Sequence, residues 1–339
     1  MQRIGHKTGL SLMPDVRLMD KSLELKLFKY VYGKPNWWQV IPSEAPDFLC
    51  VKDGERVVGV EVTELFTDQS DARLNKIDGY SLHLLNGRDF LHKDDKDNIK
   101  VDRVKYIKKG ETDGPEINAI IKEMPNFLTK ASLLCATIEN KEIKVEKYLE
   151  SCSVVDLIIN DASNLFWFDK YEDMIIPLSN IIKRQIIINS KFREIYLMTT
   201  NKGNSKIKVP LKLNLFAQDI TIIEKLVSKW KKENGVSDPA KAITVLLYCL
   251  YKSGYSTLVL TSENNEMGLI IGSHLYLYTK DGRNIRDYST IQEQLPAGKK
   301  ISEIEDDVTS SDKEIAEKIL KDKHNYKCCL NLFMKVGKV

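Results

Sequence analysis

Residues 44–65 constrain the fold of this chain more tightly than any other stretch. Phe48 to Val51 is a short apolar run, Val57 to Leu65 alternates, and Lys52-Asp53-Gly54 stands between them. Asp-Gly between two such runs signals a β-hairpin. With a three-residue loop, Val51 stands opposite Glu55 and Asp47 opposite Gly59, one diagonal step from Glu61. Side chains alternate along a strand. Val58, Val60 and Val62 therefore share one face, and Asp47, Gly59, Glu61 and Thr63 share the other. A two-residue loop instead sends Glu61 to the face opposite Asp47, because a slip of one residue reverses every side chain.

Two carboxylates on one face repel each other unless a cation lies between them. Hard oxygen ligands of this kind suit Mg²⁺ or Mn²⁺. The bare Gly59 leaves room for a bulky group, such as a phosphodiester, to approach the backbone. An ordinary hairpin with one solvated face accounts for the same residues, since exposed acids are common on surfaces.

Pro46-Asp47, thirteen intervening residues and then Glu61-Val62-Thr63 resemble the core of the PD-(D/E)XK nuclease superfamily, the restriction-endonuclease-like fold. The resemblance implies that Asp47 and Glu61 ligate the metal, with the carbonyl of Val62 as a further ligand. It also implies a lysine two residues after the glutamate, where this chain has Thr63. A threonine cannot place positive charge beside a developing phosphorane. Lys76, on a helix expected from Ser70 to Leu85 just beyond the acidic strand, is the candidate replacement. Nucleases of this type often carry an acid on the preceding helix, which makes Glu24 a candidate third ligand and Glu44 its rival. A solvated helix flank explains Glu24 and Lys76 equally well.

The rest of the chain bears on that resemblance. A helix is expected from an Asp20 N-cap through Leu23, Leu27, Phe28 and Val31, ending at Gly33 and Pro35. Trp37-Trp38 leads into a strand at Gln39 to Ile41. Val154 to Ile159 is a continuous apolar run with one acid, as a buried parallel strand requires. A helical stretch from Asp169 to Ile188 and a strand from Arg193 to Thr200 follow it, and together they form a βαβ crossover. The expected fold class is therefore α/β, a mixed sheet flanked by helices, with a C-terminal α+β region. Residues 1–205 form the nuclease-like domain and 218–339 a C-terminal domain without a readable motif. Within the first of them, residues 86–116 are a charged stretch that reads as an extended loop, and helical patterning is expected from Glu116 to Lys130 and from Ala131 to Leu149.

Composition narrows the function classes. The 339 residues are 42% hydrophobic and 29% charged, with a net charge of +3, so any nucleic-acid contact must come from local basic patches. The six cysteines match no zinc spacing and fit a reducing cytoplasm. The first twenty residues show no signal-peptide pattern, and the apolar run Ile243 to Tyr251 is too short to span a bilayer. Pro296-Ala297-Gly298-Lys299-Lys300 lacks the earlier glycine of a phosphate loop, which excludes that ATPase motif. No Gly-x-Ser-x-Gly elbow is present, and the five histidines form no ligand spacing.

These readings point to a divalent-metal-dependent endonuclease acting on DNA, in genome defence or DNA processing. The alternative is a catalytically degenerate nuclease-like protein that binds nucleic acid or a protein partner. The C-terminal region is then the candidate surface for that partner or for a second copy of the chain.

Overall fold

The computed structural model describes residues 21–33, 39–52, 55–110, 112–167, 184–201, 205–263, 266–279, 282–288, 295–323, 325–326 and 334–335. Asp20, Trp37-Trp38, Asp53-Gly54, most of 168–188, His324 and Cys328-Cys329 lie outside them.

The chain begins with α1 (Ser22–Tyr32), β1 (Gln39–Pro42), β2 (Phe48–Lys52) and β3 (Glu55–Leu65). A long excursion follows: α2 (Gln69–Lys76), α3 (Tyr80–Leu85), α4 (Asp95–Asn98), β4 (Lys100–Lys105) and β5 (Glu116–Ile121). Then come α5 (Phe127–Glu142), α6 (Val145–Leu149), β6 (Val154–Asp161), α7 (Arg184–Ile188), β7 (Ile195–Thr200) and β8 (Lys206–Pro210). The C-terminal part is α8 (Leu211–Glu233), α9 (Pro239–Lys252), β9 (Val259–Glu263), β10 (Glu266–Ile271), β11 (His274–Thr279), β12 (Gly282–Asp287), β13 (Lys299–Lys300), α10 (Ser310–Lys323) and β14 (Met334–Lys335).

A seven-stranded mixed sheet runs β1-β2-β3-β6-β7-β8-β14. β3, β6 and β7 are parallel, and the hairpins on either side are antiparallel. Helices cover both faces. α1 lays Leu27, Phe28, Val31 and Tyr32 on Phe48, Val58, Val60 and Val62. α5, α6 and α8 pack the opposite face, around Leu49, Val155, Leu157 and Ile159, and α9 packs on α8. The protein is thus α/β, a mixed sheet flanked by helices. A five-stranded antiparallel sheet, β12-β11-β10-β9-β13, leans on α8, where Phe216 meets Tyr276 edge-on at 5.5 Å.

Three expectations need correction. The Ser70 to Leu85 helix is two helices, because Gly79 takes a left-handed φ of 69° between them. Residues 86–116 contain α4 and β4 rather than one loop, and Glu116 to Ile121 is a strand instead of a helix. β-branched isoleucines suit either periodicity, and pairing with β4 decides the matter. Around the expected boundary near 205–218, β8 leads straight into α8, whose residues 211–220 are all buried. One apolar core joins Leu49 and Ile159 to Ile223, Leu250 and Ile319.

Lys212, in the first turn of α8, is buried. Its ammonium donates to the carbonyls of Ser190 and Phe192, both at 2.6 Å. Burial pushes its pKa down to about 8, against the partial support of Glu194, Glu142 and Asp156. The unfolded chain holds this proton up to about pH 10.5, so the folded state carries a burial penalty below pH 8 that fades as pH rises. The unfolding free energy of the wild type, relative to Lys212→Met, is expected to increase from about pH 8 to about pH 10 in urea titrations. A flat difference would show that the ammonium keeps its proton.

Candidate functional site

The hairpin brings the two acids together by a route the sequence does not show. Lys52 pairs with Glu55 and Val51 with Arg56, which leaves two residues in the loop. On that register alone, Glu61 would face away from Asp47. A β-bulge then shifts the register so that Cys50 pairs with Val58, Leu49 with Gly59 and Phe48 with Val60. The one-residue bulge adds to the one-residue change in the loop, so the faces regain the expected parity and the register moves on by two residues. Asp47 thus falls on the α5 face, the side to which Leu49 and Gly59 belong, and directly across from Glu61.

Asp47 sits in the bend just before β2. Its Oδ2 accepts the Val62 amide at 2.8 Å, and its Oδ1 meets Lys21 Nζ at 3.0 Å. Lys21 is the residue before α1 and also donates to the Ser43 carbonyl. Glu61 is almost fully buried, and its Oε1 lies 2.7 Å from Lys141 Nζ. Lys141 belongs to the last turn of α5. Tyr148 on α6 closes the group. Its phenol is pushed up by burial first, then by the charge of Glu61, by a hydrogen bond with that carboxylate and by Asp47. Two carboxylates, two ammoniums and a neutral phenol therefore share one face. The side chains of Asp47, Lys21 and Lys141 retain 19%, 16% and 22% of their exposure, so solvent reaches the group at the Asp47 end.

The other predicted residues fall elsewhere. Lys76, the expected replacement lysine, pairs with Glu64 at 2.9 Å and lies over the Phe66 ring, with 59% of its side chain exposed. Val62 points its side chain to the α1 face, while its amide orients Asp47. Glu24 lies in the first turn of α1, three residues after Lys21, and it is Lys21 that reaches Asp47. Asp156, the acid in the apolar strand, pairs in register with Val60 and faces α1. Among the described residues, no group of three or more His, Cys, Asp or Glu is placed to hold a metal. A groove of about 720 Å³ lies between α8, α9 and the five-stranded sheet and shares no residue with the two carboxylates.

Gly59 also differs from expectation. A Cβ there would stand 2.7 Å from both Pro46 Cγ and Cys152 Sγ. The space over the glycine is filled by protein, not left for a phosphodiester. Its role is to let Pro46, and with it Asp47, close onto β3. Gly59→Ala is expected to cost about 1–3 kcal/mol in urea unfolding, through overpacking, and to displace Asp47. A variant as stable as the wild type would show that Pro46 yields freely.

Sequence reasoning missed Lys21, Lys141 and Tyr148. Lys141 stands 80 residues from Glu61. The one local sign was the position of Lys141 near the end of a helix, where cations are ordinary. Comparison with family models, curated proteins and solved structures finds no match to this chain. Among the described residues, no helix is long and apolar enough to cross a membrane.

Proposed function

We propose that the chain is a divalent-metal-dependent nuclease of the PD-(D/E)XK type, hydrolysing phosphodiester bonds in DNA. The observation that carries this reading is Lys141 Nζ at 2.7 Å from Glu61, on the face Glu61 shares with Asp47. Thr63 leaves that face without a cation of its own, and α5 supplies one. The donor set fits a hard ion: two carboxylates on one face, with the Val62 carbonyl as the further ligand that the resemblance implies. Mg²⁺ commonly binds through only one or two protein carboxylates and keeps several waters. When bound, the ion polarises a phosphate oxygen, lowers the pKa of the attacking water and adds positive charge to a face whose acids and lysines otherwise cancel.

The chain's own groups do the rest. The Val62 amide holds one Asp47 oxygen in place. Lys141 holds the Glu61 carboxylate at 2.7 Å and offers charge to the phosphoryl oxygens as they become more negative. Tyr148 stays protonated and donates a hydrogen bond. Lys21 is placed to meet the strand beside Asp47.

The test is incubation of the protein with supercoiled plasmid, duplex and single-stranded DNA, and RNA, in Mg²⁺ or Mn²⁺. Cleavage is expected only with metal and is expected to vanish in Asp47→Ala and Glu61→Ala. Unaltered cleavage in both variants would remove the site assignment. A second reading, a nuclease-like binding protein without catalysis, is favoured by Lys21, which already neutralises Asp47. DNA binding without cleavage in either metal would select it.

A further inference from the structure

The excursion between β3 and α5 has its own small core, in which Leu74, Tyr80, Leu84 and Ile99 pack with Val101 and Ile120. It leaves the sheet from the strand that carries Glu61 and returns to the helix that carries Lys141. Asp71 at its base binds Lys122 and Ser163, which ties both ends of the excursion to the turn after β6. From this base rises an isolated two-stranded ribbon, β4 paired antiparallel with β5.

The cations of the ribbon gather on one strand and the tip. Residues 100–109 hold five cations and one acid, whereas residues 110–121 hold three acids and no cation. Lys100 pairs with Asp102 and Lys105 with Asp113, both at the surface. Among the described residues, Arg103, Lys108 and Lys109 have no carboxylate partner. Val101 and Ile120 turn inward to the small core, Arg103 opposite Asn118 lies on their side at its exposed edge, and the alternate residues turn away from it. That outer side and the tip leave Tyr106, Ile107 and Ile117 exposed at 53%, 49% and 43%. Large apolar groups left in water beside unpaired cations mark a surface that is covered in use.

We propose that this ribbon is a nucleic-acid-binding arm, which holds the phosphate backbone of a DNA strand beyond the bond to be cut. The inference rests on the nuclease reading for the position of that bond, but the binding itself is separable. Charge complementarity selects the occupant, since cations without acidic partners gain most from a polyanion. A two-stranded ribbon has the width to enter a major groove. Tyr106 beside Lys108 and Lys109 supplies an apolar ring that can meet base edges and thymine methyl groups in that groove.

The experiment uses full-length protein without metal and a fluorescein-labelled DNA duplex of about three helical turns, read by fluorescence anisotropy over a salt series. The combined Arg103→Ala, Lys108→Ala and Lys109→Ala variant is expected to bind roughly tenfold more weakly. Its log affinity should fall less steeply with log salt, by about 0.9 per lost phosphate contact. Tyr106→Ala is expected to weaken binding with the salt slope unchanged. All four side chains are exposed, so circular dichroism and thermal unfolding should match the wild type. Wild-type affinity and slope in the triple variant, or no DNA binding by the wild type, would overturn the arm. Loss of self-association without loss of DNA affinity would also overturn it and assign the ribbon to a protein contact. If the variants lose DNA binding while the wild type binds and never cleaves, the arm stands and the nuclease reading falls.

Discussion

Lys141→Met is expected to lower kcat for metal-dependent DNA cleavage by at least about a hundredfold, and Lys141→Met with Thr63→Lys is expected to recover a substantial part of it. The first half follows from electrostatics. Removing one donor aimed at a developing negative charge typically costs about 10²–10³ in kcat. Lys141 is the cation nearest Glu61, at 2.7 Å, and Lys76 is committed to Glu64. The second half follows from strand geometry. Thr63 lies two residues after Glu61 on β3, and a side chain there shares the Glu61 face. A lysine at 63 would place its ammonium near the same carboxylate from the strand instead of the helix. Steady-state kinetics under saturating Mn²⁺ would separate kcat from KM. Lys141→Met also leaves Glu61 buried without its counter-charge, so unfolding in urea must accompany the kinetics. A variant that folds, binds metal and cleaves at the wild-type rate would remove Lys141 from the chemistry. A dead double variant would show that position 63 is not equivalent to 141.

Arg193→Met is expected to destabilise the protein by about 3–5 kcal/mol, the cost of leaving a buried carboxylate unpaired. Asp156 is fully buried in the middle of β6. Its Oδ1 accepts Arg193 Nε at 2.9 Å and the Glu194 amide at 3.1 Å, and its Oδ2 accepts Arg193 Nη2 at 2.5 Å and Tyr32 Oη at 2.6 Å. This cluster pins α1 to the sheet through Tyr32, on the face away from Glu61. Removing the guanidinium removes two charge-assisted bonds and leaves the carboxylate with neutral donors only. Arg193→Met combined with Asp156→Leu is expected to cost less than Arg193→Met alone, because the uncompensated charge is gone. Urea unfolding of Arg193→Met, Asp156→Leu and the double variant decides the point. A double variant as unstable as the sum of its single changes would show that the two side chains do not interact across the sheet.

The two kinds of prediction differ in how far the sequence could support them. Parity along a strand is local, so Val58, Val60 and Val62 announce a core face and Glu61 with Thr63 the opposite one. The continuous apolar run Val154 to Ile159 announces a strand covered on both sides, and its parallel pairing with the strand at 195–200 agrees with the expected crossover. The hairpin was legible, but neither its two-residue loop, expected as three, nor the bulge between Cys50 and Val51 was, because no residue type there demands them. The alternating pattern also failed at Glu116 to Ile121, where isoleucines suit a helix face as well as a strand.

What the amino-acid order determined was therefore which residues can share a face: Asp47 and Glu61 as a candidate acid pair, and the mixed sheet that carries them. Tertiary structure alone decided what surrounds that pair. It brought Lys141 and Tyr148 from α5 and α6 and Lys21 from ahead of α1, filled the space over Gly59 with Pro46 and Cys152, and assigned Lys76 to Glu64. The physical reason is range. Side-chain periodicity is set by backbone geometry over a few residues, whereas an ion pair spanning 80 residues exists only once helices have packed on a sheet and fixed where their ends fall.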